Sequence, residues 1–363
     1  MAGPEATRQV RQGDAARLLL AAARERFAVA ATDLLLPDRA RLTEWQRLTA
    51  ASLLTRLVAS IEDDLRTRLA GRFAANEALH AALSSAHVPI ALPILERAQV
   101  LRDADLTTVL VRRAEEHRFW KAGAPAGRDD YLFELVRDAD EHIASEAMAL
   151  VIARSRRFDR FQEPVLGQVE LPAELQHKLV WMVAAALRQY VVQHHHATGV
   201  DAAIEEAASA LIAGYDEGES LESAARQLAR RLHHAGRLDG AALARIIGDG
   251  LLPFFLAGVA TLAALDMAAA WEVLSDPRGR GPALLLRAAG LERDEAGAVL
   301  LALGARGPLL SGAEGEAVAT QLELYDTVDR ASAQEVLRLW QAHPAYRASV
   351  ARISTRTHLG EAA

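Results

Sequence analysis

The stretch from Leu171 to His196 carries apolar residues at three- and four-residue steps and contains no Gly. The apolar stripe comprises Leu175, Leu179, Met182, Val183, Ala186, Tyr190 and Val191, and Trp181, Leu187 and Val192 widen it. Pro172 stands in the first turn, where a helix tolerates proline best. At ~1.5 Å per residue the helix would span roughly 35 Å. The pattern predicts a central, packed helix with Leu179 in the interior and Gln176 on the polar side.

Helical spacing recurs along the rest of the chain, and no segment alternates as a strand would. Before the central helix, the predicted helices are Asp14–Ala31, Thr43–Ala70, Asn76–Ala86, a segment ending near Val100, Asp103–Lys121, Tyr131–Val136 and Glu141–Arg156. After it they are Asp201–Ala213, Leu221–His234, Ala241–Ile247, Leu251–Leu265, Met267–Leu274, Ala283–Ala289, Asp294–Leu303, Glu316–Asp326, Ala331–Gln341 and Ala345–Ile353. The predicted fold class is therefore all-α.

Short helices joined by short turns indicate pairs that bury their apolar faces against neighbouring pairs. We therefore expect a HEAT-like helical-repeat array, an α-solenoid of short antiparallel pairs around the long central helix. The expected segments are an N-terminal helical segment (1–71), N-terminal repeats (72–165), the central helix (166–200), C-terminal helices (201–310) and a C-terminal extension (311–363).

Composition narrows the function classes. The chain has no Cys, which excludes disulfides, thiolate metal sites and thiol nucleophiles. Its formal charge is −7 and its pI is about 6.0, without a long basic run, so nucleic acid is not an expected partner. Aromatic residues make up only 5% of the chain, which favours helix over sheet.

The sequence predicts neither a secretory signal nor a membrane span. Met1–Arg17 lacks the basic and then apolar layout of a secretory signal. The longest apolar run, Leu251–Leu265, is too short for a bilayer, which needs about 20 residues. We expect a cytoplasmic protein with no membrane span.

Three segments resemble a known bacterial family. They are HVPIALPILERAQVLRDADL (His87–Leu106), SRRFDRFQEPVLGQVELPAELQHKLVWMVAAALR (Ser155–Arg188) and LSDPRGRGPALLLRAAGL (Leu274–Leu291). The family is the domain of unknown function numbered 2336, and the resemblance covers roughly Phe73–Gly304. It implies a HEAT-like helical fold. Because the family has no established activity, the resemblance assigns no functional residues.

Two E-x-x-H motifs suggest a di-iron or di-manganese carboxylate site, in which helices supply Glu and His ligands. Glu77 with His80 and Glu174 with His177 have this spacing, and Glu44 and Glu141 stand at equal distances before them. Against a metal site, Glu174 lies in a first turn, where an acid complements the helix dipole. The favoured interpretation is that these are surface residues.

A second candidate is the histidine group His194, His195 and His196, with His233 and His234. Transition-metal binding is one interpretation. Consecutive residues on a helix point in different directions, however, because only residues three or four apart share a face. A solvated helix end is therefore the better interpretation.

The segment Asp276–Pro282 (DPRGRGP) precedes a predicted helix, whose free N–H groups could bind an anion with Arg278 and Arg280. It lacks the preceding strand and the glycine pattern of a phosphate-binding loop. An Asp-Pro turn leading into a helix explains the same residues, and we favour the turn.

No G-x-S-x-G, H-E-x-x-H or kinase-type motif is present. The sequence therefore predicts no enzyme, no catalytic, cofactor-binding or metal residues, and no cofactor. The expected function is a non-catalytic scaffold that binds another protein, since solenoids offer extended binding surfaces. Two alternatives stay open: a metal-carboxylate enzyme and a regulatory module that responds to a small ligand.

Overall fold

The computed structural model describes residues 41–85, 88–123, 130–276, 279–305, 314–343, 345–347, 349–350 and 353. Throughout these residues the structure is helical and contains no β-strand; Phe158 and Pro164 form one isolated antiparallel bridge. The all-α prediction is therefore confirmed for the described part of the chain. The described residues from Glu44 onward form one compact unit.

The helices of the first half include the longest one of the described chain, α1. They are α1 (Glu44–Arg72), α2 (Glu77–Ser84), α3 (Ala91–Arg97), α4 (Ala104–Gly123), α5 (Tyr131–Val136), α6 (Glu141–Ser155), α7 (Ala173–His194) and α8 (Val200–Ala213). A short 3₁₀ turn, Gln168–Glu170, precedes α7, and another, Glu217–Glu219, follows α8.

The helices of the second half are shorter and follow one another closely. They are α9 (Leu221–His234), α10 (Gly240–Gly248), α11 (Leu252–Ala263), α12 (Met267–Leu274), α13 (Gly281–Ala289), α14 (Arg293–Gly304), α15 (Glu314–Thr327) and α16 (Arg330–Leu337). A 3₁₀ turn, Arg338–Gln341, follows α16, so the last turn of the predicted helix Ala331–Gln341 is 3₁₀. Beyond it, residues 345–347, 349–350 and 353 are again helical.

Short polar side chains start many of these helices by capping free backbone N–H groups. The predicted cap Asn76 is confirmed: its Oδ1 accepts from the N–H of Leu79 at 3.1 Å. Asp130, Asp140 and Asp239 cap α5, α6 and α10 in the same way. The predicted helices Tyr131–Val136, Leu221–His234 and Met267–Leu274 are found with the same bounds. The predicted helix Asp14–Ala31 lies outside the described residues, and the described residues of the predicted helix Ala345–Ile353 (345–347, 349–350 and 353) are helical.

Two hydrophobic cores organise the unit. The first core is formed by α1, α2, α3, the beginning of α4, α7 and α8. The second core is formed by the end of α4, α5, α6 and the helices from α9 onward. Helix α4 contributes to both, because Leu106 and Leu110 belong to the first core and Phe119 to the second.

Helix α7 corresponds to the predicted central helix, but only one of its faces is buried. Leu179 lies in the first core as expected, with an exposed fraction of 1%. Trp181 and Val192 were expected inside, yet they are 42% and 55% exposed. Gln176, expected on the polar side, is buried. These three predictions are wrong, because the apolar positions of α7 outnumber those that its neighbours α1, α3 and α8 cover.

The most apolar part of the chain is interrupted. The predicted helix Leu251–Leu265 is α11, which ends at Ala263 because Ala264 adopts a left-handed conformation with φ of 55°. Among the described residues no single helix passes the length and hydropathy test for a membrane span; α11 and α12 pass it only as a pair bent by 101°. The proposed division into five segments stays a prediction.

Candidate functional site: a buried charge cluster on α4

The middle of α4 is polar in sequence and buried in the structure. Arg112, Arg113, Glu115, Glu116 and His117 are consecutive but for Ala114, and each is less than a tenth exposed. Such a helix segment usually faces water, since charged groups are costly to bury without partners. Here the segment passes from the first core to the second, so both sides of the helix are covered.

Glu116 lies at the centre of the cluster and faces three arginines. Its Oε1 is 3.3 Å from Nε of Arg112, and its Oε2 is 3.7 Å from Nη1 of Arg113. Nη1 of Arg157, from the segment after α6, also donates to Oε2. One buried carboxylate therefore compensates part of the charge of three guanidinium groups.

A second carboxylate, Glu170, enters from the 3₁₀ turn before α7. It accepts from Nη2 of Arg157 and, at 3.2 Å, from the backbone N–H of Leu221 at the start of α9. Glu222 on α9 approaches Nη2 of Arg112 at 2.9 Å and is partly exposed. The cluster therefore joins α4, the segment after α6, the turn before α7 and α9, and we call it the α4 charge cluster (Arg112, Arg113, Glu116, Arg157, Glu170 and Glu222).

Arg113 and Arg157 differ in their electrostatic surroundings. Burial, and then the nearby charge of Arg157, lower the pKa of Arg113 to about 9. Burial also opposes the charge of Arg157, but Glu116 and Glu170 outweigh it and raise the pKa of Arg157. Arg113 donates from Nε to the carbonyl oxygen of Val165 at 3.0 Å and from Nη2 to that of Arg157. Arg113 is thus bound mainly by neutral carbonyl groups.

An open pocket borders the cluster, with about 420 Å³ of empty space including the solvent at its mouth. Its apolar walls are formed by Leu132, Leu150, Leu221, Leu251, Pro253 and Phe254, together with Trp120 and Phe158. Its charged residues are Arg113, Glu116, Arg154 and Arg157. Gly250 brings one wall close to α4: its φ is +77°, and a Cβ there would meet the carbonyl oxygen of Phe119 at 2.5 Å.

Three aromatic rings pack beside the pocket. Trp120 and Phe158 have ring centroids 4.3 Å apart, and His117 lies 5.9 Å from each. Neither ring nitrogen of His117 has a hydrogen-bond partner. Burial, followed by the charges of Lys121 and Arg113, lowers the pKa of His117 to about 4. His117 is therefore a neutral, packed ring at neutral pH.

A second buried ion pair in the first core differs from the α4 charge cluster. Arg66 and Glu62 are one turn apart on α1 and 3.0 Å apart. Glu62 accepts from the backbone N–H groups of Ile90 at 2.9 Å and Ala91 at 2.8 Å, while Arg66 donates to the carbonyl oxygen of Leu83 at 2.8 Å. This pair ties the end of α2 and the start of α3 to α1 and does not line the pocket beside α4, which indicates a structural role.

The E-x-x-H residues are spread over the surface of four helices. Glu44, Glu77, His80, Glu141, Glu174 and His177 are all exposed, and they lie on α1, α2, α6 and α7. Within the described residues no three His, Asp or Glu side chains are arranged to hold a metal ion. The surface interpretation is therefore the one that agrees with their positions.

The histidine group lies at two helix ends. His194 is the last residue of α7, and His195 has extended backbone and follows it as the C-cap. His194 packs against Tyr190 with ring centroids 4.9 Å apart, and His233 and His234 end α9. The expectation of helix ends is confirmed.

The described residues of the DPRGRGP segment form a turn. The backbone N–H groups of Gly279 and Arg280 donate to the carbonyl oxygen and the carboxylate of Asp276, at 2.8 and 3.1 Å. Gln321 on α15 accepts from the N–H of Ala283 at 3.0 Å, so one of the N–H groups expected to bind an anion is already used. Arg278 lies outside the described residues.

The α4 charge cluster was not predicted from the sequence. Its one local signal is the spacing of Arg112 and Arg113 before Glu116, at i,i+4 and i,i+3, which is also common on solvated helix surfaces. The other members, Arg157 and Glu170, come from distant segments, and no local pattern connects them to α4.

Comparison with known families gives one result. A family model described as "Uncharacterised protein conserved in bacteria (DUF2336)" matches residues 90–338, which is more than half of the chain. The match begins after the predicted start at Phe73 and continues beyond the predicted end at Gly304. Neither the curated proteins nor the solved structures give a match. The chain belongs to the DUF2336 family.

Proposed function

We propose that this protein is a non-catalytic, HEAT-like helical scaffold that binds another protein through the outer face of α7. The outer face of α7 is defined by Lys178, Trp181, Ala185, Arg188 and Val192, which share one side of the helix at three- and four-residue steps. The observation that carries the proposal is the exposure of Trp181 on a helix whose opposite face is buried in the first core.

The pattern of helix contacts in the second half supports the array. Helices α9, α11, α13 and α15 contact one another in that order, each with the helix two places ahead. Successive helices from α10 to α15 also contact each other. Contacts between neighbours and next neighbours are what stacked helix pairs in an α-solenoid make.

The outer face of α7 has the composition of an interaction surface. Trp181 and Val192 provide exposed apolar area, and tryptophan is enriched among the residues that dominate binding energy. The charged residues beside them are held in place: Lys178 pairs with Asp103, and Arg188 pairs with Asp201. An apolar centre with fixed charged neighbours is typical of protein–protein interfaces.

The test is a capture experiment with the full-length protein and a lysate of the source bacterium, comparing wild type with Trp181→Ala. Because Trp181 is exposed, the variant should keep the wild-type circular dichroism and melting temperature. The partner retained by wild type should be lost, since removing such a residue commonly costs about 2 kcal/mol or more of binding free energy.

The matched control is Phe161→Ala, which removes a side chain that is 68% exposed on another part of the surface. It should retain the partner. Equal retention by wild type and Trp181→Ala would contradict binding through α7. Stoichiometric iron, manganese or zinc in the purified protein would instead favour the metal-carboxylate enzyme.

A further inference from the structure

The pocket beside α4 has a charged end that its own side chains compensate incompletely. Nη1 of Arg113 donates no hydrogen bond in the described part of the chain, and its nearest carboxylate oxygen, Oε2 of Glu116, is 3.7 Å away. Nε of Arg157 is buried and also has no partner. Both arginines line the pocket. A buried donor without an acceptor, such as Nε of Arg157, is costly, so an acceptor that enters here is favoured.

The balance of buried charge points in the same direction. Three arginines of the cluster are less than a tenth exposed, whereas only two of its carboxylates are: Arg112, Arg113 and Arg157 against Glu116 and Glu170. The third carboxylate, Glu222, is 35% exposed and lies beside Arg112. The low pKa of Arg113 agrees with this excess of positive charge. A single negative charge next to Arg113 would balance it.

The rest of the pocket is apolar. Leu132, Leu150 and Leu221 form walls to which a polar body could not bind by hydrogen bonds. The empty space is about 420 Å³ even with the solvent at its mouth included, so the occupant is a small molecule. Trp120 and Phe158 pack against each other with centroids 4.3 Å apart, which leaves no slot between them for a planar ring.

We infer that this pocket binds a short-chain aliphatic monocarboxylate, with its carboxylate on Arg113 and its hydrocarbon chain against Leu132, Leu150 and Leu221. Guanidinium groups bind carboxylates through charge-assisted hydrogen bonds, which are stronger than neutral ones. The site is separate from the outer face of α7, and its ligand is independent of the protein partner proposed above.

The inference is tested on the wild-type protein with three matched compounds: butyrate, butyramide and 1-butanol, at equal ionic strength set with chloride. All three have the same chain, but only butyrate carries a negative charge. We expect a melting temperature that rises with butyrate and saturates, because a ligand that binds only the folded state stabilises it. The amide and the alcohol should give no shift at the same concentrations. Equal shifts with all three compounds, or no shift with butyrate, would overturn the inference.

Variants then locate the site by calorimetric titration with butyrate. Leu150→Phe narrows the pocket and leaves every charge in place, and Arg113→Met removes the carboxylate partner. Each should weaken binding by at least about tenfold, since each removes a contact the ligand needs. Arg231→Gln removes a surface arginine that pairs with Glu146 at 3.0 Å, and it should bind as wild type does.

Arg113→Met also removes two hydrogen bonds to backbone carbonyl groups, so its fold is checked first by circular dichroism. If it does not fold, Leu150→Phe decides together with the wild-type comparison of acid and amide. Undiminished butyrate binding by folded Leu150→Phe would show that the ligand lies elsewhere and would overturn the inference.

Discussion

Replacing Glu116 by Gln tests whether the α4 charge cluster depends on this one carboxylate. The substitution keeps the shape of the side chain and removes its charge. Arg157 would keep Glu170, and Arg112 would keep Glu222. Arg113 would keep no carboxylate partner in the described part of the chain, and it would stay buried.

The expected loss is large because the arginines cannot move into water without opening the contact between α4 and the two cores. Removing one partner of a buried ion pair typically costs about 3–5 kcal/mol, since the remaining charge is left without compensation. Glu116→Gln retains a carbonyl oxygen that can still accept one hydrogen bond. We therefore expect a loss of about 3 kcal/mol of unfolding free energy, at the lower end of that range.

The assay is urea unfolding, followed both by circular dichroism and by tryptophan fluorescence, because Trp120 lies beside the cluster. The control is Glu134→Gln, which breaks an ion pair with Arg245 in which the side chains are 50% and 51% exposed. Exposed pairs contribute about 0–1 kcal/mol, so this variant should unfold almost as wild type does. Losses that differ by less than about 1 kcal/mol between the two variants would refute the electrostatic argument.

Two further predictions concern the first core and the ring cluster. Leu179→Ala should lower the unfolding free energy by about 2–5 kcal/mol, because it leaves a cavity in a packed interior. Gln189→Ala, on the exposed side of α7, should lower it by less than about 0.5 kcal/mol. Equal shifts of the urea midpoint in the two variants would contradict the placement of α7. His117 is protonated more readily in the unfolded chain, whose pKa is near 6.5, than in the fold, where burial and then Lys121 and Arg113 lower it to about 4. The stability that the neutral His117 contributes is therefore complete above pH 6.5 and is lost as the pH falls towards 4, at up to about 1.4 kcal/mol per pH unit. His117→Phe should lack this part of the pH dependence of the unfolding free energy. Identical pH profiles of wild type and variant would show that His117 does not cause it.

Helix positions followed from the sequence because their causes are local. The buried residues of α9 include Leu221, Ala225, Leu228 and Leu232, spaced by three and four, and Ser220 caps the helix by accepting from the N–H of Ser223. Periodicity and capping act within a few residues, so a single segment contains all the information that they need.

Burial was harder to predict, because it depends on what packs against each helix. Helix α7 has more apolar positions than its neighbours cover, and Trp181 is left exposed while Gln176 is buried. Helix α4 has the opposite relation: its middle is charged, yet two cores enclose it. The hydrophobic pattern favours α7 as the central helix, yet it is α4 that contributes residues to both cores.

The candidate site could not be predicted for the same reason. Glu116 and Arg157 are 41 residues apart, and Arg157 is 13 residues from Glu170. No spacing rule links such positions. The E-x-x-H motifs, in contrast, have the spacing of metal ligands, but their side chains are not brought together as a metal site requires. Ion pairs that bury charge are made by tertiary contacts, and the local sequence shows only that charged residues are present.

The position of the cluster also explains why a pocket lies next to it. A helix that passes between two cores can keep polar side chains only if other segments bring matching charges, and here these are Glu170 and Glu222. Charged side chains need specific directions and distances, so they fill space less completely than leucines, which pack in many arrangements. Arg113, whose carboxylate partner is the most distant within the cluster, lines the pocket together with Glu116 and Arg157. Incomplete charge compensation and incomplete packing therefore occur at the same place, and this coincidence favours the pocket beside α4 as the place where a small anion would bind.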